Sequence, residues 1–262
     1  MRIISICPSN TEIVEYLGLT NMLVGIDDYS DWPEQIKNLP RLGPDLSIHM
    51  DKVEELKPDL VLASLSVPGM EKNVDELVRR KIPHIILNPQ SLADIENDLI
   101  ITAKALGQPE AGQKAAHHFR TQMEELKQIA AKIEKKPSLY WEWWPKPVFT
   151  PGKINWLTEI SELAGASNLF HDLELASVQT DWDDVYKRKP DYICLAWVGV
   201  RKEKVNPEVV LKRPNWAGLE AVKQNRILVL EEELYCRPSP RLLKGAVRLA
   251  KQIHPEEFAL IH

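Results

Sequence analysis

The chain has 262 residues, of which 44% are hydrophobic and 27% charged, a balance typical of one large globular domain or two smaller ones. Its formal net charge of −5 argues against a nucleic-acid partner, because such a surface needs a basic excess. The sequence also lacks an apolar run of membrane-spanning length, a disulfide framework and a zinc motif.

Residues 1–107 are predicted to form an α/β lobe in which short apolar strands alternate with helices. The predicted strands are 3–6, 22–26, 60–63 and 84–87. The predicted helices are 9–18, 50–57, 70–80 and 91–106. Ser9 or Asn10 is the expected N-cap of the first helix, and Gly107 follows the last one. This alternation is typical of a parallel sheet with helices on both faces.

Residues 108–136 are predicted to form one connecting helix that begins near residue 109. Its apolar side chains recur at steps of three and four residues, at Ala115, Ala116, Phe119, Met123, Leu126, Ile129, Ala130 and Ile133. A helix of this length spans roughly 40 Å. A helix, unlike a Gly/Ser linker, fixes the separation of the segments that it joins.

Residues 137–262 are predicted to form a second α/β lobe. The predicted strands are 138–144, 191–196 and 226–230. The predicted helices are 154–164, 182–188, 207–212 and 239–253. The sequence therefore predicts an α/β fold of two lobes with parallel sheets.

An internal repeat supports the division into two lobes. Asp-Lys-Val-Glu-Glu-Leu-Lys-Pro-Asp at 51–59 matches Asp-Asp-Val-Tyr-Lys-Arg-Lys-Pro-Asp at 183–191, and both segments run into an apolar strand. Thr-Glu-Ile at 11–13 likewise matches Thr-Glu-Ile at 158–160, each followed five residues later by a glycine. The two matches occur in the same order along the chain, which favours two similar lobes.

Aromatic residues concentrate where the predicted strands end. They are Tyr29, Trp32, Trp143, Trp144, Phe149, Trp197 and Tyr235. Ligands of parallel α/β sheets bind beyond the carboxyl ends of the strands, and two facing lobes enclose a cleft. Within the run of tryptophans, we assign Trp141 to the core, and Trp143 and Trp144 to a ligand wall. A wide aromatic cleft suits a bulky planar ligand.

The sequence contains no pattern that favours catalysis or metal binding. It lacks the G-x-G-x-x-G, P-loop and G-x-S-x-G motifs. No histidine evidently pairs with Ser9 as a nucleophile, and helix capping explains that serine better. The histidines show no ligand spacing, and Cys7 and Cys194 lie in apolar runs typical of buried residues. We therefore expect no enzymatic activity, no metal site and no cofactor.

Four segments together carry a family resemblance. They are Ile6-Cys7-Pro8-Ser9-Asn10-Thr11-Glu12, Val24-Gly25-Ile26-Asp27-Asp28-Tyr29-Ser30-Asp31-Trp32-Pro33, Leu56-Lys57-Pro58-Asp59-Leu60-Val61 and Arg237-Pro238-Ser239-Pro240-Arg241. In order, and over nearly the whole chain, they resemble the substrate-binding proteins of ABC importers for vitamin B12, iron-siderophores and haem. The resemblance is closest to the cobalamin-binding branch. It implies two Rossmann-like lobes joined rigidly by one long helix, with a ligand cleft between the lobes.

The resemblance also implies which residues bind. Tyr29 falls at a ligand-contacting tyrosine, and Trp143 and Phe149 fall at aromatic positions of the cleft wall. A ligand-contacting segment falls on Glu233, Leu234, Tyr235, Cys236 and Arg237. The family docks one acid per lobe, usually glutamate, onto arginines of a two-fold permease, and these acids fall on Asp51 and Asp183. Both aspartates also suit helix N-termini, and the two interpretations are compatible.

These observations predict a monomeric, non-catalytic protein that binds a corrinoid, with cobalamin the leading candidate, for delivery to an ABC permease dimer. A ferric siderophore or haem is an alternative ligand. The candidate cations for an anionic siderophore are Arg41, Lys153, Arg201 and Arg237. A cytoplasmic corrinoid carrier or sensor, or a protein of metallocofactor metabolism, is a further alternative.

The start of the sequence bears on localisation. Met1-Arg2 runs straight into the first predicted strand, with no signal peptide. As written, the chain is therefore expected to be cytoplasmic, or else a mature or truncated form of an extracytoplasmic protein.

Overall fold

The structure, a computed structural model, describes residues 1–261 and divides there into two units. The first unit comprises Met1–Arg120 and Pro238–Pro240. The second comprises Thr121–Arg237 and the described residues from Arg241 onward. The first unit is therefore assembled from two separate stretches of the chain.

A parallel sheet forms the centre of the first unit. Its strands are β1 (Ile3–Ser5), β2 (Leu23–Ile26), β3 (Leu60–Ser64) and β4 (His84–Leu87). Its helices are α1 (Pro8–Tyr16), α2 (Met50–Glu55), α3 (Glu71–Arg79) and α4 (Leu92–Ala105). The strand order is β2-β1-β3-β4, and all three pairings are parallel. The predicted elements of this lobe are confirmed, with small displacements at their ends.

Apolar clusters cover both faces of this sheet. Ile3 packs in one cluster with Val14 of α1, whereas its neighbour Ile4 packs in another cluster with Val53 of α2. Successive residues of a strand point to opposite faces, so the two clusters lie on opposite sides of β1. The near-continuous apolar sequences of β1 and β3 follow from this double burial.

The start of α1 differs from the prediction. The helix begins at Pro8, and Cys7 rather than Ser9 or Asn10 is its N-cap residue. Proline suits this first position because its φ angle is already helical and its missing N–H has no partner to lose. The Asn10 side chain instead donates to the carbonyl of Ala63 at 2.9 Å, which ties α1 to β3.

A long helix, α5 (Pro109–Ala130), runs for 22 residues from the first unit into the second. It spans about 33 Å. The predicted end near residue 136 was wrong. The N–H groups of Lys132 and Ile133 bond to carbonyls three residues earlier, at 3.0 and 3.3 Å, which closes the last turn. Pro137 further disfavours a helical conformation at the residue before it.

The second unit contains a second parallel sheet and a small antiparallel one. Its strands are β5 (Ser138–Glu142), β6 (Trp144–Pro145), β7 (Val148–Pro151), β8 (Ser167–Asn168), β9 (Ser177–Thr180), β10 (Tyr192–Leu195) and β11 (Ile227–Val229). Its helices are α6 (Trp156–Leu163), α7 (Trp182–Arg188), α8 (Glu208–Leu211), α9 (Glu220–Lys223), α10 (Glu232–Tyr235) and α11 (Leu242–Ile253). The parallel sheet has the order β11-β10-β5-β8.

The antiparallel sheet β6-β7-β9 was not predicted. The predicted strand 138–144 ends at Glu142, and Trp144 pairs instead with Phe149 across the β6–β7 hairpin. These strands are short, and prolines interrupt them at positions 145, 147 and 151. Such segments give little of the alternating pattern from which a strand is recognised.

The internal repeat reappears as matched local structure. Gly18 after α1 and Gly165 after α6 both adopt φ +73°, where glycine ends a helix without strain. Lys57 after α2 and Lys189 after α7 are both left-handed, with φ of 46° and 54°. Each lysine precedes a proline that leads into a central strand, β3 or β10. The sequence matches therefore reflect equivalent elements of two similar units.

The segment Pro238–Pro240 belongs to the first unit although its neighbours on both sides belong to the second. Within it, the hydroxyl of Ser239 donates to the carboxylate of Glu12 in α1. Both side chains are buried, with exposures of 0% and 1%. The Arg-Pro-Ser-Pro-Arg motif thus places a polar donor inside the first unit.

Candidate functional site

The loop after β2 carries the most exposed aromatic side chain of the first unit. Tyr29 is 54% exposed, which is unusual for a large ring on a folded surface. It lies beyond the carboxyl end of a parallel strand, where ligands of α/β sheets bind. Trp32, three residues later, is partly buried. The structure therefore makes the Tyr29 ring available for contact.

A buried carboxylate shapes this loop. Asp27 is fully buried, and its Oδ2 atom accepts hydrogen bonds from the backbone N–H groups of Tyr29 and Ser30, at 2.8 and 3.0 Å. The hydroxyl of Ser30 donates to the Oδ1 atom. Burial raises the pKa of Asp27 to about 6, although these hydrogen bonds oppose the rise. The backbone at Tyr29 is thus fixed by a side chain two positions earlier.

Further hydrogen bonds, from Thr11 and Arg41, fix the loop that carries Tyr29. Thr11 of α1 shares hydrogen bonds of 2.8 Å with the hydroxyls of Ser5 and Ser30. Arg41 donates through Nη1 to the carbonyls of Asp27 and Ser30. Because Arg41 is engaged in this way, it is a structural cation rather than one freely available to an anionic ligand.

Two exposed aliphatic residues of the first unit were not among the predicted contacts. Leu46 is 44% exposed and Val67 is 37% exposed, and both lie in loops rather than in regular elements. Val67 belongs to the loop that follows β3, at the same edge of the sheet as the Tyr29 loop. No sequence signal distinguishes these aliphatic residues from buried ones, because single loop residues show no periodicity.

The run of tryptophans in the second unit is divided by the end of β5. Trp141 is fully buried, and its indole N–H donates to the hydroxyl of Ser161 at 2.9 Å, which confirms its assignment to the core. Trp143 is partly buried and lies against Trp156, with a ring-centre distance of 6.4 Å. Trp144 is 45% exposed, and Phe149 opposite it is partly buried. Trp144 is therefore the most exposed ring of this run.

A hydrogen-bonded group of four side chains, three buried and one partly exposed, lies at the carboxyl end of β5 and is here named the Glu142 cluster. It consists of Tyr140, Glu142, Trp197 and Arg213. Arg213 makes two bonds of 2.7 Å to the two oxygens of Glu142, and these side chains are only 2% and 0% exposed. Tyr140 donates to the same carboxylate at 2.7 Å and Trp197 donates through its indole N–H at 3.0 Å. Burial and the adjacent carboxylate hold the pKa of Tyr140 well above its usual value.

The Glu142 cluster was not predicted from the sequence, although a signal was present. Glu142 is flanked by Trp141 and Trp143 in a strand that is otherwise apolar or aromatic. A charged residue in such surroundings needs a buried partner of opposite charge. The partner itself, Arg213, is remote in sequence and lies in an irregular segment, so the pairing could not be predicted.

The predicted contact segment 233–237 is divided between buried and accessible residues. Leu234 and Tyr235 are 2% and 0% exposed, so their side chains serve packing and offer no contact surface. The hydroxyl of Tyr235 donates to the carbonyl of Gly245 at 2.9 Å. The remaining three residues, Glu233, Cys236 and Arg237, are partly exposed.

The polar atoms of this segment are also engaged. Cys236 donates through its thiol to the carbonyl of Ala196 at 3.3 Å, and burial holds its pKa well above the usual value. Arg237 lies 3.3 Å from the carboxylate of Glu232. Lys153, another predicted cation, pairs with Glu174, whereas Arg201 is exposed. Three of the four predicted cations, Arg41, Lys153 and Arg237, therefore already have acceptors within the protein, which disfavours an anionic ligand.

The two predicted docking acids occupy equivalent, exposed positions. Asp51 lies in the first turn of α2 with its side chain 86% exposed, and Asp183 lies in the first turn of α7 with its side chain 64% exposed. Asp51 pairs with Arg80 and Asp183 with Lys187, both at 2.6 Å. Exposed pairs of this kind contribute little to stability and are readily exchanged for other partners. Capping of α7 falls to Asp181 rather than to Asp183.

A recess of about 410 Å³ lies beside Asp183 in the second unit. Its lining consists of Pro145, Lys146, Pro147, Val148, Thr180, Asp181, Trp182, Asp183, Pro214 and Asn215. The aromatic residues predicted to contact the ligand lie outside its lining.

Neither a metal centre nor a membrane segment is found in the described part of the chain. Within residues 1–261, histidine, cysteine and acidic side chains form no group of three or more that could hold a metal ion. Over the same range, no helix combines the length and apolar character needed to cross a bilayer. Cys7 and Cys194 are buried free thiols, as predicted.

Comparison with known sequences gives a family match and extended similarities. The family model described as "Periplasmic binding protein" matches residues 3–234. An uncharacterised ABC transporter substrate-binding lipoprotein of Bacillus subtilis is 29% identical, over 98% of this chain and 81% of its own length. A vitamin B12-binding protein of Yersinia pestis is 28% identical, over 96% of this chain and 86% of its own length.

Comparison with solved structures gives the same fold. The periplasmic vitamin B12-binding protein of Vibrio cholerae is similar with a TM-score of 0.79 at 27% identity, over 97% of this chain and 98% of that one. A protein of Staphylococcus epidermidis, described as a possible iron-binding (periplasmic solute-binding) protein, is similar with a TM-score of 0.83 at 25% identity. It covers 97% of this chain and 98% of its own. The predicted α/β fold with parallel sheets is thus confirmed.

Proposed function

The chain belongs to the periplasmic binding protein family, and from that premise we propose that it binds a corrinoid, cobalamin in the first instance, for delivery to an ABC importer. Its relatives are substrate-binding proteins, found as lipoproteins or in the periplasm. The corrinoid as ligand, the absence of catalysis and docking on a permease dimer are the parts that we propose.

The observation that carries the proposal is the exposure of large aromatic rings beyond the carboxyl ends of the parallel strands. Tyr29 follows β2 in the first unit with 54% exposure, and Trp144 follows β5 in the second with 45% exposure. Each square ångström of apolar surface that a ligand removes from water contributes about 25 cal/mol. A corrinoid presents a broad apolar ring edge and polar amides, which aromatic rings with polar tips complement. Two vitamin B12-binding proteins at 27% and 28% identity add support.

The polar side chains of these surfaces favour binding over catalysis. Asp27, Thr11 and Arg41 are committed to holding the Tyr29 loop, and Glu142 and Arg213 neutralise each other. A general acid or base needs a titratable group that can reach its substrate. We propose a rigid aromatic surface with an accessible segment at Glu233, Cys236 and Arg237 as further contacts.

Delivery is proposed to use Asp51 and Asp183. Their equivalent positions in α2 and α7 present one exposed carboxylate on each unit. A permease with two-fold symmetry offers the same arginine-bearing patch twice, which two equivalent acids match. Lys187 and Arg80 hold these carboxylates in the free protein and would be exchanged for the arginines of the permease.

A direct binding measurement tests the ligand. The purified chain is mixed with cyanocobalamin, desalted and scanned for corrinoid absorbance, and the heat of binding is measured by calorimetry. We expect a stoichiometric complex that Tyr29→Ala and Trp144→Ala each weaken. Val78→Ala provides a matched control, because Val78 is a 60% exposed apolar residue on α3. Absence of both co-eluting absorbance and heat would remove cobalamin as the ligand.

A haem or an iron-siderophore complex is the second candidate, and the exposed phenol of Tyr29 favours it. Tyrosine ligates haem iron in some proteins, and the Tyr29 ring is half exposed on a fixed backbone. Titration with haemin separates the two candidates. A tyrosinate-to-iron absorption band that is lost in Tyr29→Phe would favour iron, whereas cobalamin binding should largely survive that substitution.

A further inference from the structure

In the Glu142 cluster, one hydrogen bond leads from a buried ion pair to a partly exposed ring. We infer that Glu142 is a positioning residue, which fixes the Trp197 indole so that its outer surface forms part of the ligand wall. This inference rests on the proposed function, because it assigns Trp197 to the ligand surface. It adds a specificity-determining residue that touches no ligand itself.

The ion pair contributes less to stability than its burial suggests. Glu142 and Arg213 are almost completely removed from water, and burying each charge carries a large desolvation cost before their attraction is counted. Apolar residues of the same volume usually serve equally well or better at such positions. The retention of two charges therefore points to a requirement for one defined side-chain arrangement.

Trp197 belongs to this side-chain arrangement through a hydrogen bond to Glu142. Its indole N–H donates to Oε1 of Glu142 at 3.0 Å, and an indole has only this one donor. A bond to an ionised acceptor is about twice as strong as one between neutral groups. The ring is partly exposed and also packs against the core of the second unit. Its N–H edge is therefore fixed by Glu142, and the rest of the ring is accessible from solvent.

The backbone on either side of Trp197 is anchored to the same strand end. The N–H of Ala196 bonds to the carbonyl of Glu142, and the N–H of Val198 bonds to the carbonyl of Trp143, both at 3.1 Å. Val198 is itself 46% exposed. Trp197 therefore lies beside the run of tryptophans, at the carboxyl ends of β5 and β10.

The guanidinium of Arg213 is held in turn by aromatic rings. It lies 4.9 Å from the ring centre of Trp182 and 4.4 Å from that of Trp216. The indole N–H of Trp216 bonds to the backbone carbonyl of Trp182 at 3.0 Å, which ties the Trp216 ring to the start of α7. This stack keeps the cation, and through it the carboxylate, in one place. A preformed contact surface loses less conformational freedom when a ligand binds.

The first test needs no ligand. The indole N–H signals of the ¹⁵N-labelled protein are recorded, and that of Trp197 is identified from its loss in Trp197→Phe. We expect Glu142→Gln to shift this signal and to speed its hydrogen exchange at least about tenfold. Tyr140→Phe is the matched control, because it removes a different bond to the same carboxylate. An unshifted, equally protected Trp197 signal in Glu142→Gln would overturn the inference.

The second test is a double-substitution cycle on cyanocobalamin affinity. If Glu142 acts through Trp197, Glu142→Gln weakens binding roughly tenfold alone but less than about twofold when Trp197→Ala is already present. An equal loss in both backgrounds would assign Glu142 a purely structural role and overturn the inference. Should Glu142→Gln fail to fold, Arg213→Lys replaces it in both tests, since it keeps the charge and removes the two-point hold. If the unsubstituted protein binds no cyanocobalamin, the proposed ligand fails, and the ligand-free test alone decides the positioning role.

Discussion

The backbone N–H of Tyr29 donates to Oδ2 of Asp27 at 2.8 Å, so a buried acid fixes the residue that is proposed to contact the ligand. Asp27 has no exposed surface of its own. Its influence on binding therefore acts through the conformation of the loop. The same group also makes the stability of the first unit depend on pH.

Asp27 is expected to lower stability as the pH rises. Its pKa in the folded protein is about 6, against an ordinary value of 3.8, because burial disfavours the charge. The folded state thus binds the proton more tightly, and the contribution of this group is largest below pH 4 and is lost as the pH rises through 6. Relative to Asp27→Asn, the free energy of unfolding should fall by about 2 kcal/mol between pH 4 and pH 7. Urea denaturation of both proteins at several pH values measures this difference, and a difference independent of pH would contradict it.

Asp98 gives a second, separable titration. It is 5% exposed on α4, and its Oδ2 atom has no hydrogen-bond partner within residues 1–261. Burial, with a smaller contribution from Asp94, raises its pKa to about 7. Its stabilising contribution is therefore present below pH 4 and lost as the pH rises through 7. Asp98→Asn should raise the free energy of unfolding at pH 8 by about 1–3 kcal/mol.

Cyanocobalamin affinity provides the control for Asp98. The residue is buried on α4 and is not part of the loops that carry the exposed rings. We therefore expect the calorimetric affinity of Asp98→Asn to equal that of the unsubstituted chain. Stability that falls at pH 8 would show that the ionised carboxylate is satisfied in the folded protein.

The docking acids give a prediction that separates ligand binding from delivery. Asp51→Arg and Asp183→Arg should leave ligand affinity unchanged, because both side chains are exposed on helices that carry none of the proposed aromatic contacts. They should abolish stimulation of the cognate transporter ATPase, because like charges replace attraction at the interface. Asp75→Arg, an equally charged change at an exposed position on α3, is the control. Full stimulation by both docking variants would exclude this route of delivery.

The two repeats provide a matched pair of glycine substitutions. Gly18 and Gly165 share φ +73°, so alanine at either position is strained by about 1–2 kcal/mol. Beside Gly18 there is open space within residues 1–261, whereas a Cβ atom at Gly165 would collide with Ile133 and lie 3.1 Å from His254. Gly165→Ala should therefore lower the free energy of unfolding by at least about 1 kcal/mol more than Gly18→Ala. Equal losses in urea denaturation would show that the second site relaxes freely.

Much of the fold follows from the sequence because its signals are local. The strands Ile3–Ser5 and Leu60–Ser64 are apolar except for their final serine, and prolines and glycines end the helices between them. The antiparallel sheet escaped prediction because its strands are short and interrupted by proline. The helix itself ends at Ala130 rather than near residue 136, whereas the predicted cleft between the lobes and the predicted division of the chain into domains stay predictions.

The aromatic residues of the candidate site could be predicted from the sequence, but the buried polar side chains that fix their positions could not. Tyr29 and Trp144 follow strands in the sequence, and their exposure agrees with a surface role. The prediction that the side chains of Leu234 and Tyr235 contact the ligand was wrong, because both are buried in the core on α10. Glu142 and Arg213 are 71 residues apart, and no local pattern connects such a pair.

The segment Pro238–Pro240 has a consequence for how the chain is made. The ribosome releases residues 1–120 long before Ser239, yet Ser239 supplies a donor to the buried carboxylate of Glu12. Domains usually fold as they emerge, the N-terminal one first. Here one buried polar contact of the first unit can form only after nearly all of the second unit has been synthesised. A fragment that stops at Arg120 therefore lacks the donor that the buried carboxylate of Glu12 has in the whole chain.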